Sequence, residues 1–357
     1  DTFIALPGLT LATGQPKLFK EVIASAVKNL KDGLFPNTGT SYNSADAPLW
    51  FIWALQQYAK YTDDSKNIWK NFGSKISSIL TNFRRGTKYG IKMEMNGLMY
   101  TGEPGVSVTW MDAVVDGKPV TPRTGMCVEI NALWYNAIQF ALEAARAAGD
   151  GKFVEEWSKY PVLIEQSFKE NFWSEQLGYL ADYVNEDFKD WSLRPNQVFA
   201  ASLPYSPVDE NMRRSIVAIV EEKLLTPRGL RTLSPDDPHY KGIYAGDHKT
   251  RDLAYHQGTA WPWLLGHFAE AYLKIHGSHG YNSIFSLYEG FEPELSEFNY
   301  GIGTIAEVYD GNAPQRPGGC ISQAWSAAEL LRIEQLLKQY KPVEVIHKEE
   351  SLINEIG

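Results

Sequence analysis

Asp112 is the one acid in the run TWMDA, residues 109–113, in a setting that suits proton transfer. A carboxyl directly after Trp110 and Met111 reads in two ways. It is a turn or helix-cap acid, the common use of aspartate, or a partly dry acid that holds its proton. One carboxyl does not decide. Glu307, in GTIAEVYDG, is the second candidate, between apolar residues and just ahead of an Asp-Gly turn, 195 residues further on. Two carboxyls facing each other suit glycosyl transfer: one protonates the leaving oxygen and the other activates water. Each taken alone reads first as a solvated loop acid.

Two further stretches join them. VEINALW places Glu129 in an otherwise apolar helical run, one turn from Leu133. It compensates the dipole of that helix's first turn, or it projects from an inner helix end toward a ligand hydroxyl. YHQGTAWPW, residues 255–263, sets His256 and Gln257 just before an expected helix, with Trp261 and Trp263 in its opening turn. Pro262 is tolerated there, where its missing N–H costs little. This is a sugar-stacking platform with hydrogen-bonding groups, or a buried aromatic helix entry. The seven His are scattered, with neither an HExxH pattern nor a Cys cluster, and DGNAP and SPDDP lack the alternating oxygens of a calcium loop. No metal or cofactor is expected, and no GxSxG elbow is present.

The elements that must position these residues are helical. Apolar spacing predicts helices over 2–12, from Pro16 to Gly33, and over 47–61, 65–83, 128–148, 153–168, 195–202, 209–223, 260–275, 281–288 and 321–340. Strand-like sequence is confined to 105–109 and 178–183. No strand–helix alternation, nucleotide loop or Pro/Ser/Gly linker divides the chain, so 1–357 reads as one domain. The connections 84–127, 169–194, 224–259 and 289–320 are long, a length usually reserved for function. A ring of helical hairpins would gather them at one end around a concave site.

Composition narrows the partner. The formal charge of −9 and pI near 5.4 argue against nucleic acid or an anionic membrane. Eleven Trp and nineteen Tyr supply groups with an apolar face and a polar handle, as sugar rings require and as an aromatic helical core also does. Two cysteines, Cys127 and Cys320, are too few for a disulfide scaffold and suggest a reducing, cytoplasmic setting.

Several stretches carry a family likeness: DTFIALPGLTLATG at the start, YNSADAPLWF, TWMDA, TPRTGMCVEINALWYNA, RPNQVFAASLP, YHQGTAWPW and SQAWSAAELLR. In order along nearly the whole chain, they resemble the amylo-alpha-1,6-glucosidase domain of glycogen debranching enzymes. The resemblance implies an all-α, (α/α)6 barrel related in plan to the glucoamylases. It implies an inverting, exo-acting hydrolase of α-1,6 glucose stubs on a branched α-glucan, with Asp112 as general acid and Glu307 as general base. It also implies that Asp1, Asp46, Trp110, Arg123, Glu129, His256 and Trp261 grip the terminal glucose; Gln257 joins them from the reading of YHQGTAWPW. Asp1 resembles the tail of a GRD motif, so the barrel is expected to lack its first helix and a β-rich upstream domain. The alternatives are another α-linked glucoside, such as trehalose or a short α-1,4 oligomer, and a non-catalytic carbohydrate-binding protein.

Overall fold

The computed structural model describes residues 1–296 and 300–342 and is predominantly helical. In chain order the helices are α1 (Thr2–Leu6), α2 (Pro16–Ala26), α3 (Ala47–Thr62), α4 (Ser65–Arg85) and α5 (Val128–Ala148). They continue with α6 (Gly151–Trp157), α7 (Tyr160–Phe172), α8 (Val198–Ser202), α9 (Glu210–Lys223) and α10 (His248–Tyr255). The last are α11 (Leu264–His276), α12 (Tyr281–Glu289), α13 (Glu292–Ser296) and α14 (Ala324–Tyr340).

Hydrophobicity sorts them into two layers. Helices α3, α5 and α11 are apolar around most of their circumference, as the buried run Leu49–Leu55 shows. In α4 burial is confined to one stripe, Ile68, Trp69, Ile76, Ile79, Leu80 and Phe83, and in α9 to Ile216, Val217 and Val220. A helix apolar all round belongs inside, and a striped one outside. The contacts agree: α1 packs on α3, α3 on α5, α5 on α8, α8 on α11, α11 on α14, and α14 on α1. The striped helices lie across their neighbours, α4 on α3 and α5, α9 on α8 and α11. Aspartates 64, 150, 209 and 247 accept a backbone N–H in the first turns of α4, α6, α9 and α10.

The inner helices begin at one end of the molecule. Asp1 precedes α1, Asp46 precedes α3, Trp325 opens α14, and all three line one cavity. A smaller cavity of about 200 Å³ lies against Leu11, Tyr61 and Gln339, at or beyond the far ends of the same helices.

Several expectations are corrected. The helix expected over 153–168 is two, because Pro161 opens a new first turn in α7. The helix over 2–12 is α1 continued by π-helical turns, Pro7–Leu11; Pro7 has no N–H to donate, and its carbonyl accepts from Ala12 at 3.1 Å. Helix α10 lies inside the supposed connection 224–259; its apolar residues, Leu253, Ala254 and Tyr255, sit together at its end, so it shows no apolar stripe. Trp261 is not in a helical turn. Ala260–Trp261 is a strand, and α11 starts only at Leu264. Residues 105–109 form no strand, only a bridge between Glu103 and Val106. Residues 178–183 do supply strand pairing, through Tyr179–Leu180 and the start of Tyr183–Asn185.

Candidate active site

Two small antiparallel sheets bring distant loops to the open ends of the inner helices. In the larger, Ala260 pairs with Tyr309 and Val308 with Gly318, which sets Glu307 beside the YHQGTAWPW stretch. In the smaller, Met126 pairs with Val184 and Cys127 with Tyr183, which sets Asp182 beside the start of α5. Between them lies a cavity of about 390 Å³. Of the residues singled out in the sequence, Asp112 and Glu307 both line it, with Asp1, Asp46, Trp110, His256 and Trp261 around them.

The two carboxyls have unlike surroundings. Asp112 lines the cavity as an exposed side chain between the buried Met111 and Ala113, with protein crowded around it. Burial, and then the nearby Asp46 charge, push its pKa up to about 6. Asp46 is itself buried and accepts from Ser44 Oγ at 2.5 Å. Glu307 is half-buried and held at both oxygens: the Tyr255 hydroxyl donates to Oε1 at 2.6 Å and the Cys320 N–H to Oε2 at 2.8 Å. Gly319 passes beneath it with φ +70°, and a Cβ there would stand 2.4 Å from Oε2.

The wall is aromatic. Trp110 meets Trp261, Trp263 and His256 edge-on at 5.2–5.4 Å, and Trp263 stacks on Trp325 at 4.9 Å. Such pairs add about 0.5–1.5 kcal/mol each beyond the area they bury. His256 is fully buried, and neither ring nitrogen has a hydrogen-bond partner among the described residues. Burial and the Arg194 and Arg123 charges lower its pKa to about 3, so the ring is neutral and can offer one donor and one acceptor.

Arg123, Glu129 and Gln257 are placed differently. They stand behind the wall. Arg123 reaches Glu129 at 2.5 and 2.6 Å and Asp182 at 2.6 Å, and also donates to Thr109 Oγ1 at 3.2 Å. Burial opposes the Arg123 charge, but Asp182 and Glu129 outweigh it and hold its pKa above the ordinary arginine value. Asp182 accepts from Asn196 at 2.7 Å, and the Asn196 amide oxygen accepts from Trp110 Nε1 at 2.8 Å. Gln257 donates to Thr121 Oγ1 at 3.0 Å and accepts from Arg194, which also donates to the His256 carbonyl at 2.8 Å. These residues hold the Thr109 and Trp110 side chains and the His256 carbonyl, and Arg123, Glu129 and Gln257 do not line the cavity.

Sequence reasoning passed over Tyr255, Asp182, Arg194, Asn196 and Trp325. Tyr255 opens YHQG, RPNQ contains the Arg and Asn, and SQAWSAAELLR contains Trp325, so the quoted motifs held a signal for four of them; Asp182 in GYLADY had none. Among the described residues no His, Cys, Asp and Glu group could hold a metal ion, and no helix is long and apolar enough to cross a membrane.

The cavity thus gathers two carboxyls of unlike surroundings against an aromatic wall, at the ends of packed inner helices. The chain belongs to the amylo-alpha-1,6-glucosidase family, whose model matches residues 1–332. It is 27% identical over 448 residues to the glycogen debranching enzyme of Saccharomyces cerevisiae, covering 93% of this chain and 28% of that protein. It is also similar to periplasmic trehalases, at 28% identity over 131 residues in Citrobacter koseri and 27% over 130 in Salmonella paratyphi B. Each match spans 36% of this chain and 22% of the trehalase. The chain therefore spans less than a third of these curated relatives.

Proposed function

We propose that the chain is one (α/α)6 catalytic domain that removes single α-1,6-linked glucose units from branched glucans, inverting the anomeric carbon. Asp112 gives its proton to the glycosidic oxygen as the bond from C1 breaks. Glu307 takes a proton from the water that attacks C1 on the opposite face, and the products are β-glucose and a free hydroxyl on the glucan. Asp1, Asp46, Trp110, His256 and Trp261 grip the terminal sugar, whose faces are apolar and whose rim is polar.

The observation that carries this reading is the shared cavity: two carboxyls from distant loops, one with a pKa pushed up to about 6 and one held by two donors. Environments that separate two carboxyls in this way are how an acid and a base are told apart. The closure of the inner helices upon one another supports the barrel.

A second reading has its own support in the trehalase likeness: the same pocket acting on an α,α-linked disaccharide. A panel of α-1,6-stubbed dextrins, maltooligosaccharides and trehalose, followed by NMR of the released glucose, separates them. Initial β-glucose from the stubbed dextrin alone is the expected result. Turnover of trehalose alone would favour the second reading, and initial α-glucose would overturn inversion.

A further inference from the structure

The base proposed above stands at a junction that its own loop does not build. Glu307 directly precedes the strand Val308–Tyr309, whereas the hydroxyl on its Oε1 comes from the last residue of α10, 52 positions earlier. We infer that Tyr255 is a positioning residue for Glu307, fixing the rotamer and charge of the carboxylate through the 2.6 Å hydrogen bond at Oε1. This rests on the reading of Glu307 as the general base.

The geometry leaves Tyr255 little freedom. Its carbonyl accepts from Trp261 Nε1 at 2.9 Å, and its ring packs on Tyr244 at 5.4 Å and Trp261 at 4.7 Å. On the other side of the carboxylate the Cys320 N–H holds Oε2, and Gly319 closes the space beneath. Each oxygen thus accepts one bond from the protein and keeps lone-pair capacity for a water. Burial and the Glu307 charge raise the Tyr255 pKa, so the phenol remains a donor at any pH at which Glu307 is ionised. Helix α10 also reaches the acid's side of the cavity: Lys249 pairs with Asp116, four residues beyond Asp112, at 2.5 Å.

The test is Tyr255→Phe, which keeps the ring and its packing and removes only the donor. Loss of one charge-assisted hydrogen bond predicts a fall in kcat of about 10- to 100-fold with KM within about twofold. A structural role would not move the pH profile; this one does. Without the donor the carboxylate anion loses one of its two hydrogen bonds, and the acidic limb of kcat/KM should shift to higher pH. The other groups facing the pair are Tyr244, Asp112 and Cys320, with Arg251 and Asp252 beyond Tyr244, and the substitution alters none of them. Placing 4-aminophenylalanine at position 255 restores an N–H donor on the same ring and should return the limb toward its original position. Unchanged kcat and an unmoved limb in Tyr255→Phe would overturn the inference, as would a slower enzyme with an unmoved limb. Glu307→Gln, run beside it, separates the two claims: an active Glu307→Gln removes the base itself, whereas an inactive one beside a wild-type-like Tyr255→Phe removes only the role of Tyr255.

Discussion

Asp112 and Glu307, proposed above as acid and base, share one cavity in unlike surroundings, and the difference between them has consequences at single residues. As the proposed acid, Asp112 transfers a proton only while protonated, so with a pKa of about 6 in the free protein the alkaline limb of kcat/KM should fall through about pH 6. The same shift sets a stability effect of definite sign. The folded-state pKa lies above the ordinary 3.8, so ionised Asp112 weakens the fold at neutral pH and the penalty vanishes below both values. Asp112→Asn should therefore abolish hydrolysis of unactivated glucans yet melt at a higher temperature than wild type at pH 7. That gain should shrink as the pH approaches 4. Equal melting temperatures at both pH values would remove the burial argument. Much of this pair was legible in the sequence, because Trp110 and Met111 announce a dry side for Asp112. The charge of Asp46 was not, since only the closed fold brings the start of α3 to the TWMDA loop.

At the scale of elements, the buried polar cluster explains why loops this long hold their shape. Asp182, Glu129 and Arg123 are each nearly fully buried, and their chain of bonds runs through Asn196 to Trp110. Cutting one member leaves buried charges unpaired, which costs about 3–5 kcal/mol. Arg123→Met is thus expected to lower stability by that order in urea melts, with kcat falling because Thr109 and Trp110 lose their support. A stable Arg123→Met whose only defect was a raised KM would return Arg123 to direct sugar binding. The sequence suggested both roles for Glu129, as a first-turn acid and as a sugar ligand, and its actual use is neither alone. The partner that decides it, Asp182, arrives on a strand whose pairing with Met126–Cys127 is set by tertiary contact. The inner helices were legible because they are apolar all round. Helix α10 and the sheet that holds Trp261 were not, because a short helix without an apolar stripe and a two-residue strand leave no period to read.

Across the whole molecule, the cavity depends on the first and last described helices, α1 and α14, meeting. Asp1 and Thr2 line the cavity at the start of α1 and Trp325 at the start of α14, and α1 packs on α14 to bring them together. That contact is close because Gly8 has no side chain: a Cβ there would lie 2.0 Å from the Ala328 carbonyl oxygen. A larger residue must push the Pro7–Leu11 turns off α14. Overpacking of this kind costs about 1–3 kcal/mol, and because the displaced segment also carries the cavity's lining, activity should fall with stability. Gly8→Val is expected to lower the melting temperature by several degrees and kcat/KM by a larger factor than unfolding at the assay temperature explains. Gly151→Ala is the matching control, since its Cβ would meet nothing within 4 Å in the first turn of α6, which packs on α5. It should leave kcat/KM unchanged and stability equal or slightly higher. A Gly8→Val enzyme with native melting and native kcat/KM would mean that α1 can leave α14 without disturbing the cavity, and the ring would then not be what holds the two carboxyls in register.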